Sequence, residues 1–454
     1  MFFTRQVFKL VKFILEDSDD TLTTHSGLGL IGLLLSKTKF HKRFSTLKVP
    51  EIKSVPAILN GDVTTSYVGL LCQGKNDFDH IEPFRDDLFF YRALDIQTVP
   101  SSSTLRQRLD QIAKVKGWKS IILEESAKLI SEFDSPVTST FTSDEKGYVP
   151  LDIDVSPFDN SNTKKEGVSR TYKGCDGYSP NFAYLGQEGY VVNVELREGS
   201  THVQKETDIF LKQSISYARI ITDLPLLVRM DAGNDSIENL KVCVSEKANF
   251  IIKRNPRREK PETWLMVAEQ FGKCIQEREG KRVFYGKMEV TPKGMKTPVR
   301  QIYKVTERTI DKNGQILLVP DIDFESYWTL LPVEPEEVIS LYHEHGTCEQ
   351  FHSELKTDLD LERFPSGKFD TNDLILHLGC LTYNLLRIIG QESLKTSDAP
   401  LKRKVFRRRV KTVIQNLITL ASKIVNHSRK IYLKFGKHSP WFPTFKRLYQ
   451  SFST

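Results

Sequence analysis

Hydrophobic and polar positions change period along this chain. Up to about residue 145 the apolar residues recur at helical spacing, as in the stripe Leu105, Leu109, Ile112. The preceding run Ser101-Ser102-Ser103-Thr104 supplies hydroxyls suited to a helix start. From Tyr148 the period becomes two. Leu151, Ile153 and Val155 alternate with Asp152 and Asp154, which predicts a strand with one apolar face and two carboxylates on the other. Further strands are predicted at Phe182–Leu185 and Tyr190–Leu196, then a helix over Lys205–Ala218. An apolar strand, Leu224–Met230, ends at the turn-rich Asp231-Ala232-Gly233-Asn234, and another, Asn249–Ile252, runs into Lys253, Arg254, Arg257 and Arg258.

The stretch 255–328 reads as a β-rich insert, with strands at Val283–Val290, Val299–Thr306 and Ile316–Trp328 and Asn313-Gly314 as a hairpin turn. Pro335 then opens a helix that continues to about Lys356, and the last hundred or so residues read as helical and increasingly basic.

Composition narrows the class. With 454 residues, 39% hydrophobic and 27% charged, the chain is an ordinary globular sequence of about three structural units. The longest uncharged apolar run, Gly27–Leu35, is far too short to span a bilayer, for which roughly 20 residues are needed. Residues 1–15 carry Arg5, Lys9 and Lys12 among apolar positions and read as an amphipathic helix. The six cysteines (72, 175, 243, 274, 348, 380) show no C-x-x-C spacing, which argues against a zinc site or a disulfide framework and fits a reducing cytoplasm. Charge is unevenly placed. Residues 401–454 hold 14 Lys or Arg and no Asp or Glu, so the chain's net +7 leaves −7 on residues 1–400. A basic tail on an acidic body points to a polyanion such as DNA.

Three carboxylates stand where two-metal phosphodiester chemistry could use them: Asp154 in a strand, Asp231 at a strand end, Glu349 on a helix. Such chemistry needs hard oxygen ligands converging on two Mg²⁺ ions, for which Mn²⁺ can substitute. At a regular helical pitch Tyr342, His345, Glu349 and Lys356 share one polar face, and surface helices more often present an apolar stripe to the core.

The spacing Tyr342-x2-His345-x3-Glu349-x6-Lys356 resembles the Y-x2-R-x3-E-x6-K signature of a group of bacterial insertion-sequence DDE transposases. Asp154-Val155-Ser156 and Asp231-Ala232-Gly233 are similar to that group's first and second aspartate motifs, and Phe351–Lys356 to its Phe-His-x-x-x-Lys ending. The resemblance extends from about His25 to Gln391. It implies an α/β fold: an RNase H-like catalytic core interrupted by a β-rich insertion domain, with helical terminal regions. The units expected are a helical DNA-binding region at 1–145, core at 146–254, insert at 255–328, core with the Glu helix at 329–400, and a basic helical tail at 401–454.

The resemblance also implies function. Asp154, Asp231 and Glu349 would be the catalytic and metal-binding residues, Asp152 remaining the alternative first ligand. Cleavage of transposon ends, closing and reopening of a DNA hairpin, and strand transfer into target DNA would follow. Expected DNA contacts are Tyr342, His345, Lys356, Lys253, Arg254, Arg257, Arg258, Arg407, Arg408 and Arg409, with Trp328 stacking on a flipped base. His345 stands where the signature has Arg and is only conditionally charged. The implied setting is a homodimer on terminal inverted repeats, nucleoid-associated in a bacterial cytoplasm and away from membranes. The rival expectations are an inactive transposase-derived repressor and a nuclease of the same fold that cuts without joining.

Overall fold

The computed structural model describes residues 12–54, 56–133 and 137–454. The amphipathic helix expected over residues 1–15 falls, at 1–11, outside the described residues, and residues 12–15 are irregular and exposed.

The centre of the molecule is a ten-stranded sheet. Its strands lie in the order Lys273–Arg278, Lys281–Val290, Val299–Ile310, Ile316–Thr329, Asn249–Lys253, Leu226–Met230, Gly147–Val155, Asn181–Leu185, Tyr190–Glu195, with Thr140–Phe141 added beside Gly147–Val155. Gly147–Val155 is antiparallel to Asn181–Leu185 and parallel to Leu226–Met230, which is in turn parallel to Asn249–Lys253. Those four strands, with Tyr190–Glu195 antiparallel beside Asn181–Leu185, and their helices form the α/β core. The two-residue period does what it predicted: Val149, Leu151 and Ile153 are fully buried in one apolar cluster with Leu226, Val228 and Met230.

The insert is β-rich as expected, and it extends the core sheet. Ile316–Thr329 pairs antiparallel with Asn249–Lys253, so its strands continue the core ladder outward. It also carries a helix, Pro261–Phe271, that the strand pattern did not signal. Asn313-Gly314 forms the expected turn. Asp311 accepts the backbone N–H groups of Asn313 and Gln315, and Gly314 sits at φ +86°, which glycine adopts without steric penalty.

The helical region packs around Phe369–Glu392, a helix buried along nearly its whole length, as a helix in the middle of a core must be. One apolar cluster joins Leu28, Leu70 and Leu105 to Leu381, Val413, Leu448 and Phe452, so both terminal regions share a core. Ser101 caps the helix Ser102–Ala113 by accepting from the Thr104 N–H, and Leu105, Leu109 and Ile112 are fully buried.

Residues 401–454 differ from the helical tail expected. They contain the hairpin Ser422–His427/Lys430–Phe435, whose first strand pairs with Thr21–Thr23. Val410, Val413, Leu417 and Leu448 are fully buried. The tail is therefore part of the folded body, and it displays Arg429, Lys430, Lys434 and Lys437 from the hairpin. Among the described residues no helix is long and apolar enough to cross a membrane.

Candidate active site

Parallel strands of equal reach end together, and the site begins there. Asp152 lies opposite Arg229 and Ile153 opposite Met230 in the parallel pairing of Gly147–Val155 with Leu226–Met230. The next residues along, Asp154 and Asp231, therefore emerge side by side at the carboxyl ends of adjacent parallel strands, where open α/β sheets place their ligands. Burial, followed by repulsion from Asp154, pushes the Asp231 carboxyl above the usual carboxylate range. Asn234 donates to Asp231 Oδ1 at 2.8 Å.

Asp154 is held from behind. Its Oδ2 lies 3.1 Å from His352 Nε2, while the Tyr184 hydroxyl lies 2.9 Å from His352 Nδ1. Burial pushes the His352 ring below its usual value. The neutral ring thus accepts the Tyr184 O–H at Nδ1 and donates from Nε2 to Asp154. Burial works against ionisation of Asp154, but His352, His345 and the Val155 N–H outweigh it and keep the carboxyl below its usual range.

Glu349 approaches from the segment that follows the insert, which is not one regular helix. It runs as α-helix Pro335–His343, 3-10 turn Glu344–Thr347, α-helix Cys348–Ser353 and π-turn Glu354–Asp358. A 3-10 turn advances about 20° more per residue than an α-helix. His345 consequently leaves the face it was expected to share with Glu349. Glu349 is exposed and lines a cleft of about 610 Å³ with Asp154, Ser156, Tyr172, Lys173 and Lys356. Lys356 is half-buried, donating to the Pro157 carbonyl at 2.6 Å with its ammonium over the Phe158 ring. Tyr342 is half-buried against Tyr327, and burial followed by the field of Asp231 and Asp154 pushes its hydroxyl pKa up.

Several expected DNA contacts are turned inward. His345 is buried with Nδ1 3.0 Å from Asp152, whose carboxylate, with burial opposing, raises the ring's pKa. An exposed phosphate contact is not available to it in this arrangement. Trp328 is only 7% exposed. Its indole N–H donates to Asp235 at 2.9 Å, the Arg254 guanidinium lies 5.3 Å from its ring centroid, and Val299 shares its cluster. At this exposure it packs as a core residue, and little of its ring is open to a base. Arg408 is buried against Ser393 and Trp441, Arg409 is bidentate on Asp358, and Arg407 pairs with Glu354 beneath Phe351. The basic triplet thus fastens the tail to the body, and only Arg409 of the three is exposed. Lys253 pairs with Glu325 and Arg254 with Glu259, leaving Arg257 and Arg258 exposed.

Asp152 is accounted for by a residue the sequence reading missed. Arg229 donates to both its oxygens, at 2.6 and 2.7 Å, and both side chains are buried. The one available signal was an arginine inside the apolar run Leu226–Met230. Asp152, His345 and Cys348 have ligand atoms within 4.8 Å of one another, the spacing that could hold a metal ion, and no other such trio occurs among the described residues. Arg229 already neutralises Asp152, and burial pushes the Cys348 thiol well up, so the donor set suits a structural network better than a cation. Asp154 and Glu349 line the open cleft and Asp231 emerges on the strand beside Asp154; their ligand atoms are not gathered within 4.8 Å of one another, but all are hard carboxylate oxygens, and the repulsion between the two aspartates is what a divalent cation relieves.

No curated protein matches the chain. A solved structure described as a piggyBac transposase synaptic complex with hairpin DNA aligns over 87% of this chain and 80% of that one, at 11% identity and a TM-score of 0.40, a likeness too distant to argue from. The family described as Transposase DDE domain group 1 matches residues 12–454. Spanning nearly the whole length, that match means the chain belongs to this DDE transposase family.

Proposed function

We propose that this protein is an active insertion-sequence transposase that cuts DNA at the ends of a mobile element and joins them to a target. The observation that carries the reading is the emergence of Asp154 and Asp231 at adjacent ends of two parallel strands, with Glu349 on the rim of the cleft that Asp154 lines.

Asp154, Asp231 and Glu349 are the residues that would hold two Mg²⁺ ions, with Mn²⁺ able to substitute. Such a pair supplies an activated attacking oxygen and neutralises charge on the leaving one. The chain's own groups do the rest. His352, locked by Tyr184, fixes the direction of Asp154. Arg229 compensates Asp152, so that carboxylate stays out of the site. Lys356 stands on the cleft wall to meet a phosphate beside the scissile bond, and Tyr342 supports Glu349's segment from the insert side. Nicking, hairpin closure, hairpin opening and strand transfer are all in-line displacements at phosphorus, so one site serves them. Two element ends held together call for a homodimer, and the setting we infer is a bacterial nucleoid.

The test is a plasmid carrying the inverted repeats that flank the gene, incubated with purified protein and Mg²⁺. Flush-cut ends and strand-transfer products are expected, and both should vanish for Asp154→Asn and Asp231→Asn. Cutting without joining would make the protein a nuclease, and binding without cutting would make it a repressor. Undiminished joining by either variant would remove the assigned site.

A further inference from the structure

The cleft beside Asp154 has a wall that none of the assigned residues forms. It is the loop 171–175, carried between the short strands Ser169–Arg170 and Asp176–Tyr178, which pair with each other, the second pairing also with Phe158–Asp159 just beyond the Asp154 strand. The loop is a tight turn: the Thr171 N–H donates to the Cys175 carbonyl at 2.9 Å, and Gly174 sits at φ +84°. Tyr172 at its tip is fastened at one end and bare along the rest. Its hydroxyl donates to the Val155 carbonyl, one residue past Asp154, at 3.2 Å, while the residue as a whole is 63% exposed. Lys173, also exposed, holds its ammonium 6.0 Å from the Tyr172 ring centroid.

A tyrosine that served only to pack would bury its ring and leave its hydroxyl at the surface. Tyr172 does the reverse, in a cleft that Lys173 and Lys356 also line. The contrast with Trp328 is direct: that side chain is only 7% exposed, with the Arg254 guanidinium 5.3 Å from its ring centroid. We propose that Tyr172 and Lys173 form a nucleotide-holding wall, the ring stacking on an unpaired base next to the scissile phosphate and the ammonium pairing with the DNA backbone. The inference rests on the transposase reading and adds to it the aromatic surface that an opened DNA end requires. A fixed ring is a stacking platform for any base, since every base has a π-face. A ring tethered at its hydroxyl also loses little freedom on binding.

The experiment uses the full chain, without divalent metal so that nothing is cut. Two random-sequence duplexes serve as probes: one blunt, one with a frayed end carrying 2-aminopurine, whose fluorescence falls on stacking. Wild-type protein should bind both and quench the frayed one. Tyr172→Leu should lose the quench and bind the frayed probe about 5- to 150-fold more weakly, the loss of one base–aromatic stack. Its affinity for the blunt probe and its melting midpoint should not change, because an exposed side chain is being exchanged. Tyr172→Phe, which keeps the ring and loses the bond to Val155, should keep the quench and bind only slightly more weakly than wild type. Lys173→Ala should lower the slope of log affinity against log salt by about 0.7–0.9. Retention of quench and affinity by Tyr172→Leu overturns the proposal, and so does a Phe variant as impaired as Leu, because the hydroxyl would then be only a brace. If wild-type protein binds neither probe, the DNA reading fails with it; if it binds both and Tyr172→Leu is normal, only Tyr172 is wrongly assigned.

Discussion

The two ends of the central sheet treat polar groups differently. In the strands from Gly147 to Lys253 the sheet is covered, and a carboxylate is drawn in only where a buried partner holds it: Asp152 on the Arg229 guanidinium, Asp154 on the neutral His352 ring. In the extension the strand Lys273–Arg278 is exposed throughout, and Ile316, Leu318 and Val319 project into solvent. Between the two lies the Trp328 contact, where the extension is pinned to the core through Asp235. A carboxylate at the covered end has its direction fixed by buried neighbours, as ligands of a hard cation require. A residue at the open end is fixed by its own ladder alone. The molecule thus keeps its chemistry at the end that can hold a side chain still.

The largest expected effect separates two carboxylates on one face of one strand. Asp154→Asn, Asp231→Asn and Glu349→Gln should each reduce cleavage and joining to background while leaving the melting midpoint nearly unchanged, since an amide keeps the shape and loses the charge. Asp152→Asn should do the opposite kind of damage. It takes from buried Arg229 the carboxylate that grips it at two points and leaves only the half-exposed Glu344, 3.2 Å away, a loss of up to about 3–5 kcal/mol of stability, and every activity should fall in step with the folded fraction. Parallel melting curves and product time courses decide it. An Asp152→Asn protein that melts normally and does not cut would make Asp152 the first ligand.

Truncation after Pro400 belongs with the large effects. It removes Val410, Val413, Leu417 and Leu448 from the shared core and the partner strand of Thr21–Thr23. The shortened chain should therefore fail to fold, seen as loss of soluble protein, and would say nothing about DNA affinity. Neutralising Arg429, Lys430, Lys434 and Lys437 on the hairpin is the informative substitute. A flatter salt dependence of DNA binding is expected, and an unchanged slope would show that the hairpin does not touch DNA.

Trp328→Ala comes next. Removing a buried indole costs about 3–5 kcal/mol, and it also strands Asp235, so nicked, hairpin and flush-cut products should decline together with the melting midpoint. Selective accumulation of nicked ends in a protein of normal stability would return the stacking role to Trp328. These results also mark what was legible in the sequence. The strand that carries Asp154 and the turn that opens at Asp231 were legible because both are local patterns, and Ser101 because a cap acts within three residues. The Asp152–Arg229 pair was not, because it depends on which register two distant strands adopt. His345 was misplaced because a regular pitch was assumed across what is a 3-10 turn. The burial of Trp328 was not legible because its partners Asp235 and Arg254 lie far from it in sequence. The basic triplet Arg407–Arg409 read as a DNA surface because charge alone does not reveal an internal partner such as Glu354 or Asp358.

The smallest effect tests the open end. Leu318 is fully exposed, at 104% of its reference surface, on a strand whose near half faces solvent. A side chain that buries nothing on folding contributes almost nothing to stability, and exchanges of this kind stay within about 0.5 kcal/mol. Leu318→Asn should accordingly melt with wild type and cut and join at the same rate. What it should change is solubility at high concentration, because Ile316, Leu318 and Val319 are three exposed apolar residues on one strand, and such exposed stretches favour self-association. Light scattering against concentration for the two proteins reads this directly. If Leu318→Asn instead lowered the melting midpoint by several degrees, the far half of the extension would be packed against something in solution, and the difference between the two ends of the sheet would narrow.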